Sequence, residues 1–247
     1  MRLPEELQSY IGTGSVTDRS GYSPAQVFET REGFFIKCDE PGALAREYRM
    51  TELFHRAGFS PEPVRYVTLD RDYLVTRKAP GEDLTQDLSD PLRLCRILAD
   101  ALRTLHAQPA DGIPVSSRLE RYLASADGSP DGGYYDPSVY FGPYRLSSRE
   151  ECWEVMQSSR HLLRCDTLIH GDACLPNIMQ ENGAFRSFID LSMAGTGDRH
   201  IDLYWAVWSL QYNLKTDEYT DVFLDFYGRE NVSEAMFRVI AAFEAFG

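Results

Sequence analysis

The 247-residue sequence predicts an α+β fold in two lobes, a small antiparallel sheet carrying one helix followed by a larger, mainly helical lobe. Three observations lead there. Short runs rich in β-branched and aromatic residues fill the first third, Pro80 and Gly81 interrupt that pattern, and beyond them the apolar spacing turns helical for most of the chain. The expected lobes are residues 1–79 and 80–247.

In the first lobe, "QVFET" and "GFFIKC" read as strands, as do "PVRYVTLD" and "RDYLVTR". Between the two pairs lies "PGALAREYRMTELFHRAG", where Leu44, Tyr48, Leu53 and Phe54 recur at near-helical spacing and Gly58 can close the helix in a left-handed cap. The stretch "RKAPGEDL", Arg77 to Leu84, reads as a hinge. After it, "DPLRLCRILADALRTLHA" opens on Asp90 as cap with Pro91 in the first turn, and Leu94, Leu98, Leu102 and Leu105 make one core stripe. From Ala124 to Leu146 the chain is rich in Gly, Pro, Tyr and Asp, too long and too aromatic for an inert connection, so a lid or substrate wall is expected. Ser147 with Glu150, and Asn231 with Glu234, fit capping boxes for two later helices.

Composition narrows the function. A formal charge of −13 makes the protein a poor match for nucleic acid or an anionic membrane and an attractor of cationic ligands, although charge alone fits a solubility surface equally well. No apolar run approaches the roughly 20 residues that span a bilayer, and "MRLPEELQSY" lacks the order of a signal peptide, so a cytoplasmic location is expected. Five scattered cysteines without a C-x-x-C pair argue for reduced thiols rather than a disulfide framework or a zinc knuckle.

The densest polar cluster is "LIHGDACLPNIMQ", Leu168 to Gln180. As a zinc site it offers only His170 and Cys174 as soft ligands, with no second pair following. As a Cys-His nucleophile it fails because Gly171 and Pro176 oppose the helix that would bring those two together. The third reading joins Asn177 to Asp190 through a hairpin made by "IMQ", "ENG" and "FRSFI". Two oxygen ligands there suit Mg²⁺ on a nucleoside triphosphate, leaving Asp172 to meet the proton of an attacking hydroxyl. The spacing of Asp172 and Asn177 is that of a kinase catalytic loop, H-x-D-x-x-x-x-N, and the first lobe supplies a strand lysine, Lys37, with Glu47 on the following helix as its partner. Upstream, "DRSGYSPAQVF" offers a glycine-serine turn whose amides can face phosphates.

With these motifs in place, the sequence resembles the aminoglycoside phosphotransferases, most closely their 3'-hydroxyl group. "HGDACLPNIM", "ENGAFRSFID" and "GDRHIDL" match that group, as does "GYSPAQVF" at its nucleotide loop, and the likeness runs from about Gly21 to the end. The resemblance implies a bilobal protein-kinase-like fold, with residues 1–79 as the nucleotide-binding lobe and residues 80–247 carrying the catalytic loop, metal site and substrate pocket. It implies transfer of the γ-phosphate of ATP, with GTP open as an alternative donor, to the 3'-hydroxyl of an aminoglycoside, conferring antibiotic resistance. By the same resemblance Asp172 is the catalytic base, Asn177 and Asp190 bind Mg²⁺, and Lys37 paired with Glu47 holds the α- and β-phosphates. Phe35 stands where the family stacks an aromatic on adenine, Ser23 and the Tyr22 amide cover the β-phosphate, and Glu244 and Phe246 join Asp172 at the substrate.

Each residue has a plainer reading. Lys37 with Glu47 is by itself an ordinary ion pair, Phe35 core, and Asp198 or Asp202 a cap for the helix that follows; Asp202 is taken as structural and His170 as a residue that orders the loop. The chain also departs from the 3' group. It ends "AAFEAFG" where relatives commonly end Leu-Asp-Glu-Phe-Phe, it has Ser192 and Met193 where Gly-Arg is usual, and Tyr212 and Asn213 replace an acidic pair. These changes remove substrate-side polar groups, so weak or altered activity on kanamycin-type antibiotics is expected. The alternatives are a kinase for another amino sugar, amino alcohol or antibiotic, and a non-catalytic nucleotide-binding pseudokinase, which the presence of Lys37, Asp172, Asn177 and Asp190 disfavours. A cationic small molecule is the expected partner, with no nucleic acid or membrane, on a monomer or weak homodimer.

Overall fold

A computed structural model describes residues 4–12, 14–21 and 24–247, and in it the chain divides after Pro80. The first unit is Met1–Pro80 with Ser187–Ser192, and the second is Gly81–Arg186 with Met193–Gly247. Asp190 therefore belongs to the first unit, although the sequence boundary placed it in the later lobe. The reason is local: the Phe188 N–H donates to the Phe59 carbonyl at 2.7 Å, and the Phe188 ring packs edge-on against Phe54 at 6.2 Å.

The first unit contains a short helix α1 (Gln8–Ile11), strands β1 (Thr17–Asp18), β2 (Gln26–Glu29) and β3 (Phe34–Asp39), helix α2 (Ala45–Arg56), and strands β4 (Pro63–Thr68) and β5 (Asp72–Arg77). The strands form one antiparallel sheet in the order β1-β2-β3-β5-β4. Alternation along β3 sends Ile36 and Cys38 into a core with Leu7, Ile11, Phe28, Tyr73 and Val75, which leaves Phe35 and Lys37 on the opposite face. Phe35 is thus not a core residue of that cluster.

Helix α2 buries Glu47, Met50, Thr51 and Phe54, an i, i+3, i+4, i+7 face that includes a carboxylate. Tyr48, read as part of the apolar stripe, instead stacks on Tyr66 at 5.1 Å, and Gly58 follows the helix at φ +81° as expected. Buried Asp72 ties the start of this helix to the sheet, accepting the Leu44 N–H at 2.9 Å and the hydroxyls of Tyr66 and Thr68 at 2.9 and 2.7 Å.

The second unit comprises β6 (Glu82–Asp83), α3 (Pro91–His106), α4 (Ser117–Ala126), α5 (Arg149–Ser159), β7 (Thr167–Ile169), β8 (Ile178–Glu181), β9 (Ala184–Phe188, its last two residues in the first unit), β10 (Gly195–Gly197), α6 (Arg199–Leu214), α7 (Thr220–Tyr227) and α8 (Glu234–Ala245). Gly81 is obligatory at its start: at φ +79° a Cβ would lie 2.0 Å from the Gln180 carbonyl oxygen, against which β6 pairs with β8. Helix α3 is capped by Asp90, which accepts the Arg93 N–H at 3.0 Å, and its leucine stripe is buried as read. Among the described residues no helix is long and apolar enough to cross a membrane.

The segment expected as a lid or wall is mostly exposed and is anchored to the core near its C-terminal end. Tyr140, Phe141 and Leu146 are buried, the Tyr204 hydroxyl donates to the Val139 carbonyl at 2.7 Å, and the Asp136 N–H reaches the Ala245 carbonyl at 2.8 Å. The α5 cap is shifted by one residue from expectation, Ser148 accepting the Glu151 N–H at 3.1 Å. At α8 the N-cap is Ser233, without a side-chain capping bond, and Asn231 ends a preceding 3₁₀ turn, so the expected Asn231/Glu234 box does not form.

Candidate active site

In the first unit, the Lys37 Nζ stands 3.0 and 2.8 Å from the two Glu47 oxygens and 2.9 Å from Asp190 Oδ1. Burial works against the ammonium, but the two carboxylates outweigh it and hold Lys37 above the ordinary lysine range, so it is charged at neutral pH. Burial also pushes the Glu47 carboxyl up, against the pull of Lys37. Asp190 adopts φ +57°, a left-handed backbone that Asp tolerates better than most residues, and its side chain stays 42% exposed. Phe35 shares the Lys37 face of β3 and is half-buried. Ser23 and Tyr22, expected at the β-phosphate, lie outside the described residues.

In the second unit the loop after β7 is held by α6. Fully buried Asp202 accepts the His170 N–H on Oδ2 at 2.8 Å and the Gly171 N–H on Oδ1 at 2.7 Å, while His106 Nε2 shares Oδ2 at 3.0 Å. Asp202 is therefore structural, and His170 orders the loop by taking the Asp172 N–H on Nδ1 at 3.2 Å. Gly171, at φ +81°, lets the Met193 carbonyl approach to 2.4 Å from where a Cβ would stand. Past the turn, the Leu175 N–H donates to Ser209 Oγ at 3.0 Å, so α6 holds both ends. The Asp172 carboxylate emerges 32% exposed, and Asn177 Nδ2 donates to its Oδ2 and to its backbone carbonyl, each at 3.0 Å. Cys174 places its thiol 3.4 Å from Asp172 Oδ1; burial, then that carboxylate, push the thiol well above its usual pKa, which removes it as a nucleophile.

A family model described as a phosphotransferase enzyme family matches residues 17–240. The chain belongs to this phosphotransferase family. It is 36% identical to a probable aminoglycoside 3'-phosphotransferase of Lactococcus lactis subsp. lactis over all of this chain and 95% of the relative. It is 28% identical to an aminoglycoside 3'-phosphotransferase of Niallia circulans, over 98% of this chain and 97% of that protein. Among solved structures, an aminoglycoside phosphotransferase from Streptomyces rimosus, in complex with ADP and streptomycin, superposes with a TM-score of 0.72 at 20% identity, covering 98% of this chain and 96% of that one. The fold is the α+β, kinase-like one read from the sequence.

Two residues expected at the substrate lie buried in this phosphotransferase. Glu244 and Phe246, expected to meet substrate, are 3% and 6% exposed. The Glu244 carboxylate is taken up by Arg118 Nη1 at 3.0 Å, Trp205 Nε1 at 2.6 Å and the Tyr122 hydroxyl. Phe246 packs among Tyr135, Trp153 and the Arg149 guanidinium. Both face inward because the last helix contributes to the core rather than to the rim. Sequence reasoning missed Arg118, whose Nε donates to the Gly171 carbonyl at 2.8 Å and whose Nη2 lies 3.8 Å from Asp172. Burial opposes its charge, but Glu244 first, then Tyr122 and Asp172, favour it. No local signal marks an arginine whose partner stands 126 positions later.

The oxygen donors suit Mg²⁺ in kind. Asn177 commits Nδ2 to Asp172, which leaves its Oδ1 as an acceptor, and Asp190 is a half-exposed carboxylate. Among the described residues no three His, Cys, Asp or Glu side chains form a metal cage. Magnesium needs none, since it keeps several waters and takes one or two protein oxygens plus substrate phosphates.

Proposed function

We propose that the chain transfers the γ-phosphate of ATP to a hydroxyl of an aminoglycoside, the 3'-hydroxyl first, and so confers resistance to it. The observation that carries the reading is the Asp172 carboxylate, exposed on one side and fixed on the other by Asn177, in a chain whose full length aligns with a probable aminoglycoside 3'-phosphotransferase. GTP as an alternative donor, a cytoplasmic location and a monomer or weak homodimer complete the proposal.

In this reading Asp172 orients the acceptor hydroxyl and takes its proton late, because a loose, metaphosphate-like transition state needs little deprotonation before the P–O bond breaks. Asn177 keeps that carboxylate in one rotamer. Arg118, held by Glu244, fixes the Gly171 carbonyl and thereby the backbone next to Asp172; Glu244 acts through Arg118 and not on the substrate. The charged Lys37, steadied by Glu47, binds the α- and β-phosphates, and Phe35 offers its ring to the adenine. Asn177 and Asp190 are the proposed Mg²⁺ ligands, and the bound ion would neutralise charge on the β- and γ-phosphate oxygens.

A second reading, another amino sugar or amino alcohol as acceptor, is favoured by Tyr212 and Asn213, which stand where the 3' group carries an acidic pair. Incubation with Mg-ATP and kanamycin, with the product located by NMR, tests the first reading. Phosphate on the 3'-oxygen is expected, and Asp172→Ala should lower kcat by about 10²- to 10⁴-fold. A panel of aminoglycosides left unmodified, or a variant within tenfold of wild type, would overturn it.

A further inference from the structure

Two donors close on the Asp172 carboxylate from the chain that follows it. Asn177 Nδ2 reaches Oδ2 at 3.0 Å, and the Cys174 thiol reaches Oδ1 at 3.4 Å. The backbone turns that thiol back toward the aspartate. The Cys174 N–H donates to the Asp172 carbonyl at 2.8 Å, closing a three-residue turn, and the Cys174 carbonyl takes the Asn177 N–H at 2.9 Å. Helix α6 backs the sulfur, since the Ser209 hydroxyl hydrogen-bonds it and also accepts the Leu175 N–H at 3.0 Å. A thiol has one proton to give. Its other acceptor is the Trp205 carbonyl at 4.0 Å, which is farther and uncharged, so the carboxylate takes the proton. Arg118 Nη2, 3.8 Å from the same Oδ1, stands beyond hydrogen-bond distance. Among the described residues the thiol is thus the side-chain donor that holds this oxygen.

We propose that Cys174 is a positioning residue for the catalytic aspartate: its S–H holds Asp172 Oδ1 while the Asn177 amide holds Oδ2, and together they fix the plane of the carboxylate that meets the acceptor hydroxyl. The proposal rests on the reading of Asp172 as the base of phosphoryl transfer and names what orients it. The terminal torsion of an aspartate is broad and roughly two-fold, so one donor leaves the carboxylate free to swing about that contact. A second donor on the other oxygen removes the freedom. The acceptor hydroxyl then meets an oxygen whose direction is settled before the phosphoryl group moves. Burial, then the carboxylate itself, hold the thiol well above its usual pKa, so at neutral pH the sulfur keeps the proton it donates.

The test combines kinetics with infrared spectroscopy on the full-length protein. With Mg-ATP and kanamycin, Cys174→Ala should lower kcat about three- to tenfold, the span of one hydrogen bond, and leave both KM values within about twofold. Cys174→Ser, which restores a donor, should recover most of that loss. An Ala variant with the wild-type kcat, or a Ser variant no faster than the Ala variant, would overturn the proposal and leave the sulfur as packing beneath α6. The S–H stretching band of Cys174, isolated as the difference between wild type and Cys174→Ala, needs no turnover. It should lie below the frequency of a free thiol and rise when Asp172→Ala removes the acceptor. A band indifferent to that substitution would overturn the proposal too, by assigning the proton to the Trp205 carbonyl. A wild-type protein that phosphorylates no aminoglycoside overturns the activity reading instead, and the infrared arm then decides alone whether Cys174 holds the carboxylate.

Discussion

Arg118 holds a full charge at 9% exposure because Glu244, the Gly171 carbonyl and the face of Trp205 together replace its hydration. Its planar fork serves two partners in different directions, which a lysine cannot reproduce. If its task is to place the catalytic loop, Arg118→Ala should lower kcat about 10- to 100-fold, since small misplacements of a reacting group cost that much, while the KM for Mg-ATP holds. Added guanidinium should restore part of the loss in Arg118→Ala, and a purely structural defect would show no such rescue. The residues legible from sequence share one property. Lys37, Glu47, Asp172, Asn177 and Asp190 are singled out by the spacing that the proposed phosphoryl transfer would need, so chemistry marked them even where hydropathy did not. Glu47 lies on the buried face of α2, where a periodicity search counts it as an interruption, and only its partner Lys37 explains it. Arg118 and Tyr122, one turn apart on α4, and Trp205 on α6 converge on Glu244 of α8, and nothing in the sequence near Arg118 announces that partner.

Elements were legible wherever one local rule sufficed, and were misplaced where two neighbours satisfied the same rule. Strands β2 to β5 of the first sheet, the Asp90–Pro91 start of α3 and the left-handed Gly58 after α2 each follow from unambiguous residues, whereas the two-residue β1 is too short to be read from sequence. The start of α5 does not, because "SSREE" allows a capping box in two registers. The structure selects Ser148 with Glu151; the Glu151 carboxylate in turn accepts the Ser147 N–H at 2.7 Å. Removing the true cap should cost more than removing its neighbour. Ser148→Ala is expected to lower unfolding free energy by about 1 kcal/mol, with Ser147→Ala costing less because its backbone N–H still reaches Glu151. Urea denaturation of both variants checks the order, and the reverse ranking would restore the register read from sequence.

At the scale of the whole chain, 38 acidic residues against 25 basic ones set a field that acts in opposite senses on the two substrates. A polycationic acceptor is drawn in and an anionic nucleotide is not. Long-range attraction of this kind fades as the Debye length shrinks, from roughly 14 Å at 0.05 M salt to about 6 Å at 0.3 M, whereas ring stacking and short hydrogen bonds change little. Raising salt across that range should therefore increase the KM of a polyamine acceptor about three- to tenfold, chiefly through slower association, and should leave the KM for Mg-ATP level or lower it. An acceptor sugar carrying one amine should respond much less, because fewer charges couple to the field. Steady-state kinetics at several salt concentrations separate the contributions. A polyamine KM that stays flat would mean that the net charge of −13 serves solubility alone and that recognition is short-range throughout.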